Sequence, residues 1–386
     1  MKRKTLLALT ALTALSTLAV EPLDKAKEII SRVKTECAPD KRQSVYEIDA
    51  VYIPGKDVLV TGKISDKTAY ETLMQELTNT GINVVDYIVL LPDTLWAQPR
   101  IPVASIRTNP SHAAEMATQG IMGQPVKILE EIDGWYRIQT PDGYIGWVTS
   151  SSIMPKSAQE MADWRNSDRL IVVSPYQTNV WDDAKTTNVR HVVTGLVNGS
   201  IVSGKYDKKK KRLHVTLPDG RDGWITTADV LPIEQWAAQN FDANVILDTA
   251  YSMEGTPYLW GGTSTKTLDC SGLVKVSYFS NGLILMRDAS QQALTGTRIE
   301  PEDWQVCEAG DLLFFGDSDT KKVTHVAIYD ENGNYIHSSG RVKRNSIDPT
   351  SDKYLTTPFL HAVRINGNEG TPGIVYARNH PWYFDK

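Results

Sequence analysis

Apolar positions along the chain change period several times, and each change marks an element. Residues 21–39 (EPLDKAKEIISRVKTECAP) carry Ile29, Ile30 and Val33 as a helical stripe between charged positions. VYEIDAVYI and DVLVTGKI, joined by Pro-Gly-Lys, read as strands. SDKTAYETLMQELTNTG returns to helical spacing, with Ser65 or Asp66 as N-cap and Gly81 as stop, and NVVDYIVLLP is a further strand. Together these predict a small α+β unit over residues 21–99, with no visible chemistry.

The middle of the chain is organised by a repeat. YRIQTPDGYIGWVTSSSIMP (136–155) matches LHVTLPDGRDGWITTADVLP (213–232), so that Pro141, Asp142, Gly143, Gly146 and Trp147 recur as Pro218, Asp219, Gly220, Gly223 and Trp224. Pro-Asp-Gly between alternating runs is hairpin chemistry. With the short strands before each hairpin, the pattern resembles bacterial SH3-like domains, small β-barrels closed by a Gly-Trp-[Val/Ile] strand. The expected domains are 100–155 and 169–233, with a helical linker over 156–168. From 234 to 386 a helical pattern (PIEQWAAQNFDANVILDTAYSMEG) precedes the segment TLDCSGLVKVSYFSNG and then several β-rich runs, which suggests an α+β domain.

Composition narrows the class. With 41% hydrophobic and 23% charged residues the chain is globular, and its net charge of −5 argues against a nucleic-acid partner. The run KKKKR at 208–212 reads as a solvated hairpin tip. MKRKTLLALTALTALSTLAV (1–20) places basic residues before an uncharged, largely apolar stretch, the pattern of a signal peptide removed on export. No other long apolar run follows, so no membrane span is expected in the mature chain. Three cysteines make no disulfide framework, and at least one thiol needs another explanation.

Cys270 lies at the start of a helix carrying Leu273, Val274, Val276 and Phe279 and stopped by Asn281-Gly282. There the helix dipole and free N–H groups should lower the thiol pKa and make the reactive thiolate accessible. Cys307 reads as a buried structural residue and Cys37 as a packing or surface thiol. A nucleophilic cysteine needs a base. His325 opens HVAIY and His337 closes NYIH, with DENGN between them. A three-residue loop, Glu331-Asn332-Gly333 with Gly333 left-handed, puts His337 opposite Ala327 and on the face of His325. One imidazole would take the thiol proton and the other would orient it. Zinc ligation by Cys270, His325 and His337 is the other arrangement considered, but no short C-x-x-C or H-x-x-x-H spacing supports it.

The motifs Y-L-W-G-G (258–262), L-D-C-S-G-L (268–273), R-D-A-S-Q-Q (287–292), G-D-L-L-F-F (310–315), T-H-V-A-I-Y (324–329) and Y-I-H (335–337) stand in an order that resembles the NlpC/P60 cysteine peptidases. With the two SH3-like domains, the chain resembles the γ-D-glutamyl-L-diamino acid endopeptidases of that family. The resemblance implies a papain-like α+β catalytic domain with Cys270 as nucleophile, His325 as base and acid, and His337 as the orienting group, and it implies no cofactor or metal. The implied substrates are peptidoglycan stem peptides with a free N-terminal L-alanine, cut between γ-D-glutamate and a diamino acid.

The same resemblance makes Asp269 an amine-binding acid. It carries Glu115 (in HAAEMATQ) and Tyr144 (in Y-I-G-W) across as parts of a wall from the first SH3-like domain. Trp260 should line the pocket, and Ser271 and Asp288 should touch the peptide. Ala289 departs from the family's usual serine, which leaves the contact to the D-glutamate carboxylate open. The whole is expected to be an exported monomer. An amidase or acyltransferase with an open groove, or an inactive wall-binding module, are the alternatives.

Overall fold

The computed structural model describes residues 21–53 and 56–385; the expected signal peptide, residues 1–20, lies outside them. Two compact units divide at Asp93/Thr94.

In the first unit a helix over 21–37 buries Ala26, Ile29, Ile30 and Val33. Strands Tyr46–Ile53 and Lys56–Ile64 pair antiparallel. Helix Lys67–Asn79 crosses over to Val84–Leu90, which pairs parallel with Lys56–Ile64. The cap is Asp66, whose carboxylate accepts from Ala69 N at 2.8 Å. Gly81, at φ 76°, ends the turn that follows. The expected boundary at residue 99 moves back to 93. Leu95–Pro99 pairs with Ile153–Lys156 and Val126–Ile132 and so opens the next barrel.

The second unit holds two seven-stranded barrels and a C-terminal α+β domain. Both barrels have the same strand order: seventh, first, fourth, fifth, sixth, second, third. The sequence repeat is therefore a structural one. In each, the Pro-Asp-Gly turn joins the fifth and sixth strands, and the repeated tryptophan sits on the sixth strand beside the second, Trp147 opposite Arg107 and Trp224 opposite Trp181. Each encloses its own apolar core. Helix Ala158–Arg165, closed at its start by a Ser157/Glu160 capping box, connects them. Residues 208–211 lie exposed in the loop between Ile201–Ser203 and Arg212–Thr216.

The C-terminal domain is built on a six-stranded antiparallel sheet ordered Thr297–Ile299, Phe359–Arg364, Leu312–Gly316, Val323–Tyr329, Asn334–Ser339, Arg341–Ser346. Helices Ala243–Ser252 and Cys270–Ser280 cover one face, where Ile246, Leu273 and Val274 meet Phe314, Val326, Ile328 and Ile336. Alternate residues, Leu313, Phe315, Ala327 and Tyr335, form a second core on the other face with Cys307. Among the described residues no helix is long and apolar enough to cross a membrane.

Candidate active site

Helix Cys270–Ser280 starts where it does because Asp269, with extended backbone, caps it by accepting from Gly272 N at 2.7 Å. Cys270 is its first residue and is 8% exposed. The expected lowering of its thiol pKa is not what its surroundings produce. Burial and then the Asp269 carboxylate push it up to about 11, against a smaller pull from the Val326 and Ser271 amides and Arg287. A helix terminus contributes about 0.3–1 kcal/mol, which is less than the cost of taking a thiolate out of water beside a carboxylate. The resting group is a thiol.

The histidines come together as the loop parity requires. Ile328 pairs with Ile336 and Tyr329 with Tyr335, and Asp330 N donates to the Asn334 carbonyl at 2.9 Å, which leaves a three-residue loop and a register that puts His337 on the face of Ala327. Both Asn332 and Gly333 adopt positive φ there, 51° and 79°. His325 Nε2 lies 2.7 Å from His337 Nδ1, and His337 Nε2 lies 2.9 Å from Asn345 Oδ1. Asn345 donates through Nδ2 to the Lys353 carbonyl at 3.0 Å, which fixes its amide orientation.

The tautomers follow from that end of the chain. Asn345 Oδ1 can only accept, so His337 Nε2 carries hydrogen and Nδ1 accepts. His325 Nε2 therefore donates, and the lone pair of His325 is on Nδ1. Burial first, then Lys343, lowers the His325 pKa to about 4. Burial first, then His325, lowers that of His337 to about 3. Both rings are neutral at pH 7, and the free Nδ1 can act as a base. Cys270 packs in one core cluster with Val326, the residue after His325.

Asp269, expected to bind the amine, and Ser271, expected to touch the peptide, both have their oxygens turned inward here. Asp269 accepts from the Gly261 and Gly272 amides and from both terminal nitrogens of Arg287, at 3.2 and 2.5 Å. Ser271 Oγ donates to Asp269 at 3.3 Å and accepts from Arg287 at 2.9 Å. Arg287 is fully buried. Burial opposes its charge, but Asp269 more than offsets this and holds its pKa above the ordinary value. The acceptor capacity of Asp269 is thus occupied by the cap and the ion pair.

The first barrel reaches this region at two points. Trp260 Nε1 donates to Glu115 Oε1 at 2.5 Å, and Tyr144 Oη donates to Asp288 Oδ2 at 3.3 Å. Trp260 is 62% exposed, while Asp288 is half-buried and also closes a capping box with Gln291 at the start of helix Ala289–Gln292. Between these points Thr263 N donates to Gln119 Oε1 at 2.8 Å. Gly261 makes the approach possible: its φ is +79°, and a Cβ there would lie 2.3 Å from the Met116 carbonyl oxygen. Ala289, at the family's serine position, packs into the core around Cys270. Cys307 is buried and Cys37 half-buried, and all three cysteines are free.

Asn345 and Arg287 hold the site's groups and Lys275 pairs with Asp142 outside it; none of the three was singled out from the sequence. Asn345 gives no local signal, because its partner lies across a strand pairing. Lys275 does give one: it is a lone charge inside the apolar run Leu273–Val276. Arg287 stood in the motif R-D-A with no partner to reveal its role.

A model of the NlpC/P60 family matches residues 255–364, and a model of the bacterial dipeptidyl-peptidase Sh3 domain matches 106–153. A γ-D-glutamyl-L-lysine dipeptidyl-peptidase of Bacillus cereus is 28% identical over 281 residues, covering 69% of this chain and 79% of that relative. The probable endopeptidase NlpC of Escherichia coli is 39% identical over 121 residues, covering 31% of this chain and 75% of that protein. The crystal structure of a NlpC/P60 family protein from Bacillus cereus superposes with a TM-score of 0.58 at 22% identity, covering 70% of this chain and 99% of that one; this is a likeness of fold.

Proposed function

Since the chain belongs to the NlpC/P60 family and is a cysteine peptidase, we propose that it hydrolyses the bond between γ-D-glutamate and a diamino acid in peptidoglycan-derived peptides with a free N-terminal L-alanine. The observation that carries this reading is the pair of contacts from the first barrel, Glu115 to Trp260 and Tyr144 to Asp288. They set an acidic, hydroxyl-bearing wall beside the nucleophile helix. Such a wall suits an ammonium and blocks a longer chain. The similarity to a γ-D-glutamyl-L-lysine dipeptidyl-peptidase supports the same choice.

Glu115 and Asp288 supply the charge for the ammonium, with the Tyr144 hydroxyl bonded to Asp288. Asp269 contributes as cap and ion-pair partner of Arg287 rather than as a free acid. Trp260 forms the outer side of the pocket.

Chemistry starts from a neutral pair. His325 Nδ1 takes the Sγ proton as sulfur attacks the γ-carbonyl carbon, so deprotonation accompanies bond formation. Amides at the start of helix Cys270–Ser280 face the developing oxyanion. The imidazolium, stabilised through His337 and Asn345, returns the proton to the departing amine of the diamino acid. A thioester remains on Cys270. His325 then deprotonates water, which releases L-Ala-D-Glu and the thiol. No step calls on a metal or cofactor. The basic-then-apolar leader supports export, where such peptides arise, and one chain holds every group named.

Mass spectrometry of L-Ala-γ-D-Glu-L-Lys, with its N-acetyl form beside it, tests the reading. Release of L-Ala-D-Glu from the free peptide alone is expected. Equal cleavage of both would remove the amine gate, and cleavage of neither would remove the proposed substrate.

A further inference from the structure

The nucleophile helix carries one charge inside its apolar run. Lys275 stands between Val274 and Val276, and its ammonium pairs with Asp142 of the first barrel. The two side chains are 16% and 3% exposed. Asp142 belongs to the turn Thr140–Tyr144, where the Thr140 hydroxyl also donates to it at 2.6 Å. Burial opposes both charges, but Lys275 and Thr140 hold the Asp142 carboxyl below its ordinary range.

The same turn meets the catalytic domain twice more. His380 Nε2 lies 2.9 Å from the Pro141 carbonyl oxygen, and Tyr144 reaches Asp288. The repeat provides an internal comparison. Asp219, the equivalent residue of the second barrel, is equally buried, yet it pairs with Arg100 and Arg221 instead. The turn does not by itself dictate a catalytic-domain partner; Lys275 supplies one.

A buried ion pair adds little net stability, because desolvating both charges offsets most of their attraction. Removing one partner is costly, however, so the pair tolerates only a narrow range of separations. It therefore fixes the register between two surfaces more than it strengthens their contact. We infer that Lys275 and Asp142 are a positioning pair: they set the seat of the Thr140–Tyr144 turn on the nucleophile helix, and so the place of Tyr144 at the amine end of the substrate. The inference rests on the amine-end assignment above.

The test compares the wild type with Lys275→Met and with the double variant Asp142→Asn/Lys275→Met, which leaves no charge uncompensated. Four quantities are read: KM and kcat for L-Ala-γ-D-Glu-L-Lys, the rate of Cys270 alkylation by iodoacetamide, and thermal unfolding. The expected result in the folded double variant is a KM raised about tenfold, as a displaced binding group gives, with kcat within about twofold. Alkylation of Cys270 should keep its wild-type rate, because Lys275 touches neither the thiol nor the imidazoles. An unchanged KM overturns the inference. A loss of kcat with altered alkylation also overturns it, since Lys275 would then be holding the thiol rather than the barrel. A wild type that releases no L-Ala-D-Glu overturns the functional reading and this inference together, and that is seen before any variant is compared.

Discussion

Asn345 contacts neither substrate nor sulfur, yet it determines which nitrogen of His325 can act as a base. Its amide is locked by the Lys353 carbonyl, and that choice passes through His337 to His325 Nδ1. Asn345→Ala should leave KM nearly unchanged and lower kcat about 10- to 100-fold, part of the roughly 10²–10⁴ that general-base catalysis supplies. Steady-state kinetics on the tripeptide measure this, and a KM change without a kcat change would remove Asn345 from the relay. The pair of histidines could be found in the sequence because a three-residue loop constrains parity over a short span. Asn345 could not, since Tyr335 is its cross-strand partner and no turn chemistry links it to His337.

At the scale of elements, the segment Tyr258–Gly262 is where sequence and barrel meet. Gly261 holds a positive φ and sits against the Met116 carbonyl, so any side chain there is both strained and in collision. Gly261→Ala should cost about 1–3 kcal/mol of stability. It should also raise KM, because Trp260 and Glu115 can no longer meet. Urea unfolding with tripeptide kinetics checks both effects; full stability with normal KM would mean the loop relaxes without consequence. The helix start at Cys270 was legible because Asp269 and the following apolar run are local signals. The direction of the thiol shift was not. The local dipole argues for a lower pKa, whereas burial beneath neighbouring elements and the adjacent carboxylate decide for a higher one.

For the whole molecule, the two neutral imidazoles tie stability to pH. Folding moves His325 from its ordinary 6.5 to about 4, and His337 to about 3. Below pH 6.5 the unfolded chain binds protons that the native state refuses, so stability falls as pH drops through 6.5 toward 4. The Asp142 carboxyl, held low in the fold, adds its own loss only below its ordinary value of 3.8. The urea midpoint should therefore decline between pH 7 and pH 4.5, before most carboxylates titrate, and less steeply in His337→Asn. A midpoint flat over that range would mean that His325 and His337 take up protons without unfolding.

The sequence by itself determined the family, the repeat, the helix start at Cys270 and the meeting of His325 with His337, because caps, turn residues, strand parity and ordered motifs act over short stretches of chain. It also marked the α+β unit and the barrels, though Leu95–Pro99 fell on the wrong side of a boundary that only strand pairing to Ile153–Lys156 could place. The tertiary structure alone decided what the charges do. Asp269 became a cap bound to Arg287, Asp142 became the partner of Lys275 while Asp219 took Arg100, and Asn345 became the end of the histidine relay. Whether a charge meets a partner or water depends on surfaces brought together from distant parts of the chain, and burial and Coulomb energy are fixed only once those surfaces have met.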